Sequence, residues 1–591
     1  MERMTPSERI SRLIQRRESA AIAGKRNLYM SNPLHGIYQW SPGSAAFAPD
    51  TGPLAGQWTN RISLGDHNCK VRAGGPFPHV DEMPSKLYGY EATPLNWARD
   101  YAFFLSVSPA PIHDDERIVG EFCWQLDEAR PQKYPEEIDA LGRRAMRLGA
   151  GGTNQAHCCP DLTVGLSCGW GGLLERVRAN RKRFRGDPEK EEYLAAQEIS
   201  CRAIMEYIRR YAVEAVKRGD RALETVCRNV AEQPPHTLRE AIQWIQFYQI
   251  VEWIIAHGNG YGRLDLILAP YYEADRKAGR ISRTEAIELI AELFLKYGGN
   301  YFSFGGRLQD GSDATCELSW MCLEAYDMIG GYNCMSVMWH SGIDPDFYRY
   351  ACEVVFRHKC ATPALINYDR TVESEILSGV RKEDAWNVAY SGCQWYCVIG
   401  REYCDQDKNV VVVIQCLLRT VKQCADLKTP PTEYEEFYRM FLENIEEAAS
   451  ALLDLKNAEY RCQSYVWPEI ATSLITRASQ ERAVDITAIG TGEYNFSSIN
   501  MLGLVNAIDS LRAIEEVLFR RNRCGFSGLQ SALDADFKGF ETLQQELLSV
   551  PKFGSDDPES NRTARRMTND IAAIFRKKIN CKGYPFRGSL F

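Results

Sequence analysis

The run Ser391-Gly392-Cys393-Gln394-Trp395-Tyr396-Cys397 sets a thiol directly after a Ser-Gly pair, where glycine permits a tight turn at the end of a strand. Alone, such a thiol suits a structural place or a catalytic one. Together with Cys397 and Cys404 it could also ligate zinc or an iron–sulfur cluster. Neither gap is the two-residue spacing common in structural zinc sites, and Cys404 follows Cys397 by seven residues, which misses the CxxxCxxC spacing of radical-SAM enzymes. No metal site is assigned to this chain.

Composition bounds the setting of that thiol. The chain has 591 residues and 67.1 kDa, with 45% hydrophobic, 25% charged and 11% aromatic residues, the balance of a folded protein. Seventy Lys+Arg against 78 Asp+Glu give a net charge of -8, with no global attraction to phosphate backbones or anionic membranes. Neither nucleic acid nor membrane is expected as a partner. Residues 1–22 lack the apolar stretch of a secretory signal, and no apolar run reaches bilayer length. A soluble cytoplasmic protein is expected, in which most of the 20 cysteines are reduced thiols serving as small buried hydrophobes. So many thiols suit a cell with little oxygen, because exposed thiolates climb the oxidation ladder.

The elements that must position the thiol are legible as patterns. No fixed-period repeat or long linker is present, so a single large domain over 1–591 is expected, with residues 1–90 an irregular N-terminal region. Inside that region 6–25 reads as a surface helix, with Pro6 in its first turn, and 31–80 as loop. Residues 238–257 place apolar groups on most faces and predict a buried helix ended by Gly258, Gly260 and Gly262. A helix over 284–297 is announced by the capping-box pair Ser282 and Glu285. Short apolar runs at 332–339, 363–367, 387–390 and 410–414 fit buried strands. Helices alternating with such strands predict an α/β architecture with a largely parallel sheet. Chemistry then belongs on loops at strand ends, and 391–408, between two of these strands, is the first such loop.

A series of landmarks in order resembles the glycyl radical enzymes, the family of pyruvate formate-lyase and the glycerol and diol dehydratases. They are Ile118-Val119-Gly120, His157 with Pro160-Asp161, Gly171-Gly172, and Gly262-Arg263-Leu264-Asp265 leading into Pro270-Tyr271-Tyr272-Glu273 and Asp275. Thr362-Pro363-Ala364 with Asn367 and Asp369, Asp384-Ala385, Tyr494-Asn495, Asp509-Ser510-Leu511 and Pro551-Lys552-Phe553-Gly554 with Asp556-Asp557 complete them. The resemblance implies a ten-stranded α/β barrel made of two antiparallel halves of five parallel strands, wrapped in helices, with the cysteine loop inside. It also implies a glycyl radical installed by a radical-SAM activating enzyme, which takes a hydrogen atom from the loop cysteine. Cys393 stands where that cysteine should be. Asp407, fourteen residues on, falls where the dehydrating branch has a pocket aspartate, and His157 where some relatives have a substrate-contacting histidine. Each has a bland alternative, a turn aspartate or a hydrogen-bonded core histidine. Gln394, Trp395, Tyr396 and Glu402 are expected to line the substrate pocket, and Asp405 is a further loop carboxylate.

Three departures narrow this reading. The position two after Cys393, a glutamate in many members, is Trp395, which can donate a hydrogen bond but cannot take a proton; Gly400 keeps the loop register. Gln394 excludes the adjacent cysteine pair of the formate-lyase branch. The radical motif Arg-Val-x-Gly-aromatic is absent, and Arg587-Gly588 does not replace it. The C-terminal radical domain is therefore expected to lie in a missing segment or a second polypeptide covering an open sheet edge. The expected function is the large thiyl-bearing portion of a lyase acting on a small metabolite under anaerobic conditions, by C-O, C-N, C-C or C-S cleavage or decarboxylation. Homo-oligomerisation is compatible with this, and the alternative is a non-catalytic pseudoenzyme or scaffold subunit.

Overall fold

Parallel strands need crossover connections of a dozen or more residues, usually helical, and most of this chain is spent on them. The structure, a computed structural model, describes residues 3–17, 77–121, 124, 126–130, 132–152, 158–255, 259–296, 301–330, 334–359, 362–391, 395–403, 409–488 and 493–590. Its strands are β1 (Ala150–Gly151), β2 (Gly260–Arg263), β3 (Tyr301–Gly305), β4 (Ser336–Trp339), β5 (Ala364–Asn367), β6 (Val388–Ser391), β7 (Trp395–Val398), β8 (Val410–Val412), β9 (Ser497–Leu502) and β10 (Phe586–Leu590).

Strands β2-β3-β4-β5 form one parallel sheet in sequence order. Helices Leu264–Lys277 and Arg283–Leu295, then Glu317–Ile329, then Pro345–His358 make its three crossovers. The second sheet has the order β1-β8-β9-β10. Its β8, β9 and β10 are parallel, and β1 runs antiparallel to β8. Helices Val413–Asp426 and Tyr434–Val466 lie between β8 and β9, and Leu504–Ile514 and Pro558–Arg576 between β9 and β10. The third unit is the antiparallel hairpin β6–β7, in the register Val388↔Val398 to Ser391↔Trp395. Among the described residues the two four-stranded sheets are not joined by backbone pairing.

Sequence chemistry accounts for the boundaries. The helix expected over 284–297 is Arg283–Leu295, and its capping box is made, with Glu285 N donating to Ser282 Oγ at 3.2 Å and Ser282 N to Glu285 Oε2 at 2.9 Å. The helix expected over 238–257 is Leu238–Trp253. Two of its buried glutamines reach the backbone of an earlier segment: Gln243 exchanges two hydrogen bonds with Val119, and Gln246 donates to Gly120 O at 3.0 Å. That is what the Ile118-Val119-Gly120 landmark is for.

Three expectations are corrected. Gly260 and Gly262 belong to β2 rather than to a helix terminus, because the chain must turn straight into the sheet; Gly258 lies outside the described residues. The strand expected over 410–414 stops at Val412, since Val413, Cys416, Leu417, Thr420, Val421 and Cys424 recur at helical spacing and are buried on one side of Val413–Asp426. Residues 391–408 are not one loop: Trp395–Val398 turns back as β7, where aromatic and β-branched side chains favour a pleated surface. The N-terminal helix occupies 8–17, and most of the loop expected over 31–80 lies outside the described residues.

Of the 15 cysteines described, eight are buried and six half-buried, and only Cys334 is exposed, as expected of small apolar side chains. Among the described residues no helix is long and apolar enough to cross a membrane.

The hairpin passes β2 closely at Gly260. A Cβ there would stand 2.6 Å from both Tyr390 O and Cys159 Sγ and 2.8 Å from Ser391 Cβ. Gly260→Ala is expected to push the hairpin off β2 and lower unfolding stability by about 1–3 kcal/mol, read by chemical denaturation of both proteins.

Candidate functional site

The hairpin that leads to Cys393 is held against the first sheet by a buried cation. Arg263, at the end of β2, donates through Nη2 to Trp386 O at 2.6 Å and through Nη1 to Arg307 O at 2.7 Å, with its Nε 3.5 Å from Val388 O. Burial pulls its pKa down from the usual guanidinium range, but the site still presents a delocalised donor fork to carbonyl oxygens. Tyr390 N adds a bond to Ser303 Oγ on β3 at 3.0 Å. Aromatic and aliphatic groups close round the base: Met338, Tyr368, Val388, Tyr390, Val398, Tyr494 and Phe496 form one buried cluster.

Residues 158–161 run alongside both this hairpin and β2. Gly260 N donates to Cys158 O at 2.8 Å and Gly400 N to Cys159 O at 2.7 Å. Gly400 has φ +68°, and a Cβ there would meet Asp161 Cβ at 2.7 Å, so the preserved register after Cys393 has a steric cause. Cys159 and Cys397 share a buried cluster with Ala389. The thiols of Cys158 and Cys397 are pushed well up, first by burial, so the ground around the hairpin is dry and favours the protonated thiol.

Behind residue 158 lies a buried polar network. Cys158 N donates to Asn259 Oδ1 at 3.1 Å, and Asn259 Nδ2 to Thr472 Oγ1 at 3.3 Å. Tyr261 OH donates to Glu252 Oε2 at 2.8 Å, and Tyr403 OH to Glu469 Oε1 at 2.6 Å. Burial, the largest cause, holds the Glu252 carboxyl well above the usual range.

On the other flank of the hairpin sit three charged side chains from three elements. Arg587, on β10, donates through Nη1 to Glu375 Oε2 at 2.9 Å and through Nη2 to Glu402 Oε1. Its neighbour Phe586 packs outward against Phe575, so strand alternation turns Arg587 inward. The guanidinium lies over the rings of Phe496 (4.2 Å) and Tyr396 (5.2 Å). Glu375 belongs to the helix Tyr368–Leu377, and Glu402 also accepts Val398 N at 2.9 Å. Burial first, then the neighbouring Glu402 charge, raises the Glu375 carboxyl well above the usual range.

Of the residues expected to carry chemistry, Cys393, Asp407, His157 and Gln394 lie outside the described residues, as do Asp405 and Cys404. Their described chain neighbours do converge: Cys158, adjacent to 157, packs with Tyr403, near 407, and with Ile486, while Ser391 and Trp395, which bracket 392–394, pair across the hairpin. Trp395 and Glu402 are buried and Tyr396 is half-buried. The Tyr396 OH lies 2.8 Å from Ser374 Oγ. The sequence reading missed Glu375 and Arg587 as partners of Glu402. The one signal it offered was an arginine alone in an otherwise uncharged strand, Phe586–Leu590.

Several landmarks turn out to fasten the fold. Tyr494 OH donates to Asp384 Oδ2 at 2.6 Å, Asp265 Oδ2 accepts Gly305 N at 2.9 Å and Ser319 Oγ at 2.6 Å, and Asp509 Oδ1 accepts Phe553 N at 2.8 Å.

With this geometry in place, the comparisons with known proteins agree with it. The family model described as pyruvate formate lyase-like matches residues 125–591. The chain belongs to that family, the glycyl radical enzymes. It is 27% identical over 577 residues to the probable dehydratase YbiW of Escherichia coli (strain K12), covering 84% of this chain and 68% of that protein. To the isethionate sulfite-lyase of Desulfovibrio desulfuricans it is 24% identical over 436 residues, covering 64% of this chain and 51% of the relative. The chain thus spans between half and about two thirds of the length of these relatives. The glycerol-bound B12-independent glycerol dehydratase of Clostridium butyricum superposes with a TM-score of 0.81 at 20% identity, covering 99% of this chain and 80% of that one. The fold is therefore the α/β barrel-type fold of the glycyl radical enzymes.

Removing the cation from the flanking triad tests how much it holds. Arg587→Met leaves two buried carboxyls facing each other, and a loss of about 3–5 kcal/mol is expected. Because the folded Glu375 carboxyl is raised above its unfolded value, its favourable contribution is present at low pH and is lost as pH rises through the folded value. The loss in Arg587→Met should therefore be larger at alkaline than at mildly acidic pH, measured by denaturant unfolding.

Proposed function

We propose that this chain is the large, cysteine-bearing portion of a glycyl radical lyase acting on a small oxygenated metabolite. The observation that carries the reading is the β6–β7 hairpin: residues 392–394, which include Cys393, are bracketed by two paired strands held against the first sheet by Arg263, Ser303 and the close pass of Gly260. The two relatives, a probable dehydratase and a sulfite-lyase, support the lyase class.

The glycyl radical, installed by a radical-SAM activating enzyme on a segment from a partner polypeptide or a longer chain, supplies the unpaired electron. Cys393 would pass its S–H hydrogen atom to that radical, forming a C–H bond there, and the sulfur would then take a hydrogen atom from a substrate C–H, which restores the S–H bond and leaves the radical on the substrate. The dry surroundings of Cys158 and Cys397 suit this, since a hydrogen-atom donor must be a protonated thiol shielded from water. His157 and Asp407 bind substrate or move its protons, and Gln394, Trp395 and Tyr396 shape the pocket. Trp395 adds a constraint on the substrate. Its indole Nε1 is buried without an acceptor among the described residues, and an indole N–H can only donate. A substrate oxygen would satisfy it.

Anaerobic reconstitution with the radical-bearing segment and the activating enzyme should give a glycyl doublet by electron paramagnetic resonance. Cys393→Ala and Cys393→Ser should keep the doublet and lose turnover. Turnover in Cys393→Ala would sink the catalytic reading, and a chain that never supports turnover with any candidate substrate would favour the scaffold alternative. Trp395→Phe should raise KM about tenfold, the cost of one buried unmade hydrogen bond, with little change in kcat; an unchanged KM would remove Trp395 from the pocket.

A further inference from the structure

Counting donors at the triad beside the hairpin gives an asymmetry. Both oxygens of Glu402 are provided for, Oε1 by Arg587 Nη2 and Oε2 by Val398 N. Glu375 receives one donor, Arg587 Nη1 on Oε2, while its Oε1 is fully buried with no partner among the described residues. Two carboxylates cannot hydrogen-bond to each other, because each only accepts. Yet both carboxyls close on the same guanidinium, Glu375 through Oε2 at 2.9 Å and Glu402 through Oε1, and the Glu402 charge is among the causes that raise the Glu375 carboxyl. The arrangement closes if one proton is present: Glu375 Oε1–H donates to Glu402, and two carboxyls, one proton and one guanidinium sum to zero charge. Without that proton the pocket holds a net negative charge cut off from water, which a protein interior tolerates poorly.

We propose that Glu375 and Glu402 share a single proton under Arg587, and that this three-residue clamp positions the cysteine hairpin. Each member reaches a different part of the fold. Glu402 fixes the C-terminal end of β7 through Val398 N, Arg587 lies over the Tyr396 ring of β7, and Glu375 is rooted in the helix after β5, next to Ser374, whose Oγ meets Tyr396 OH. The hairpin is thus tied to the second sheet through β10 and to the first through that helix. The other titratable groups facing the clamp are Tyr390 and Tyr396 of the hairpin, Cys397 of β7 and Tyr584 ahead of β10. Burial raises all four, so they stay neutral and leave the shared proton to set the charge. These are positioning residues acting through the hairpin, and the proposal rests on the reading of that hairpin as the carrier of Cys393.

Infrared spectroscopy of the purified chain tests the proton directly. At neutral pH a protonated-carboxyl C=O band is expected in difference spectra between the unaltered chain and each variant, in which the bands of other buried carboxyls such as Glu252 cancel. Glu375→Gln should abolish it, because the proton's holder is gone. Glu402→Gln should abolish it too, because a lone Glu375 carboxylate then faces Arg587 and ionises. Absence of the band in the unaltered chain, or its persistence in either variant, overturns the shared proton. Positioning is read by amide hydrogen exchange of the 388–403 peptide, compared between the unaltered chain and Glu375→Gln at each pH so that the intrinsic pH dependence cancels. Glu375→Gln carries the neutral amide in place of the acid. The two proteins should match at mildly acidic pH, and the unaltered chain alone should lose protection as the band titrates away. Equal protection at every pH overturns the positioning role. If Glu375→Gln fails to fold, the band in Glu402→Gln decides the shared proton, and the exchange of that variant decides positioning, since its pH dependence should be flat. Neither measurement uses turnover, so an inactive or dispensable Cys393 would leave these results standing, and their failure would leave the Cys393 test untouched.

Discussion

A guanidinium that has no water to turn to organises the centre of this protein. Arg263 is buried at the end of β2 and spends its donors on the carbonyl oxygens of Trp386 and Arg307, with Val388 O close by. Removing a charge from water is costly unless it is matched by hydrogen bonds, so these carbonyls are committed to that place. The strand entering the hairpin is therefore located by a charge-assisted contact as well as by apolar packing. Gly260 supplies the complementary condition, an approach so close that no side chain fits between β2 and the hairpin.

Both sheets serve this one element. The first is built of four parallel strands whose crossover helices bury apolar faces on its outer side, and it offers Arg263 and Ser303 inward. The second packs Phe586 outward onto Phe575 and turns Arg587 inward by strand alternation. Between them the hairpin meets a neutral aromatic cluster at its base, a buried carboxyl pair on one flank and a chain of thiols and tyrosines on the other. A short hairpin by itself is marginal in water; here its geometry is imposed by neighbours on both sides.

Much of this was legible in the amino-acid sequence because it depends on near neighbours along the chain. The capping box of Ser282 and Glu285 spans four residues, the buried helix after Leu238 needs an apolar surround, and Gly400, read as keeping the loop register, has the positive φ that favours glycine. The ordered landmarks were enough to identify the family, and several proved to be pairs that hold the fold, such as Asp384 with Tyr494. Where local pattern misled, a neighbour had won. Val413 begins a helix because the residues after it recur at helical spacing, and Trp395–Val398 is a strand because β6 lies alongside to pair with it.

The sequence by itself determined the α/β class through its periodicity and the family through the order of its short motifs, and the resemblance those motifs carry is what nominates Cys393 for the proposed chemistry. Only the tertiary structure decided that Glu375, Glu402 and Arg587 meet, across 212 and 185 residues of chain. In the sequence Glu402 is one loop carboxylate among several and Arg587 a lone cation in a terminal strand. Their meaning comes from burial and from the count of donors around two carboxyls, and neither quantity exists until the two sheets and the hairpin are packed together.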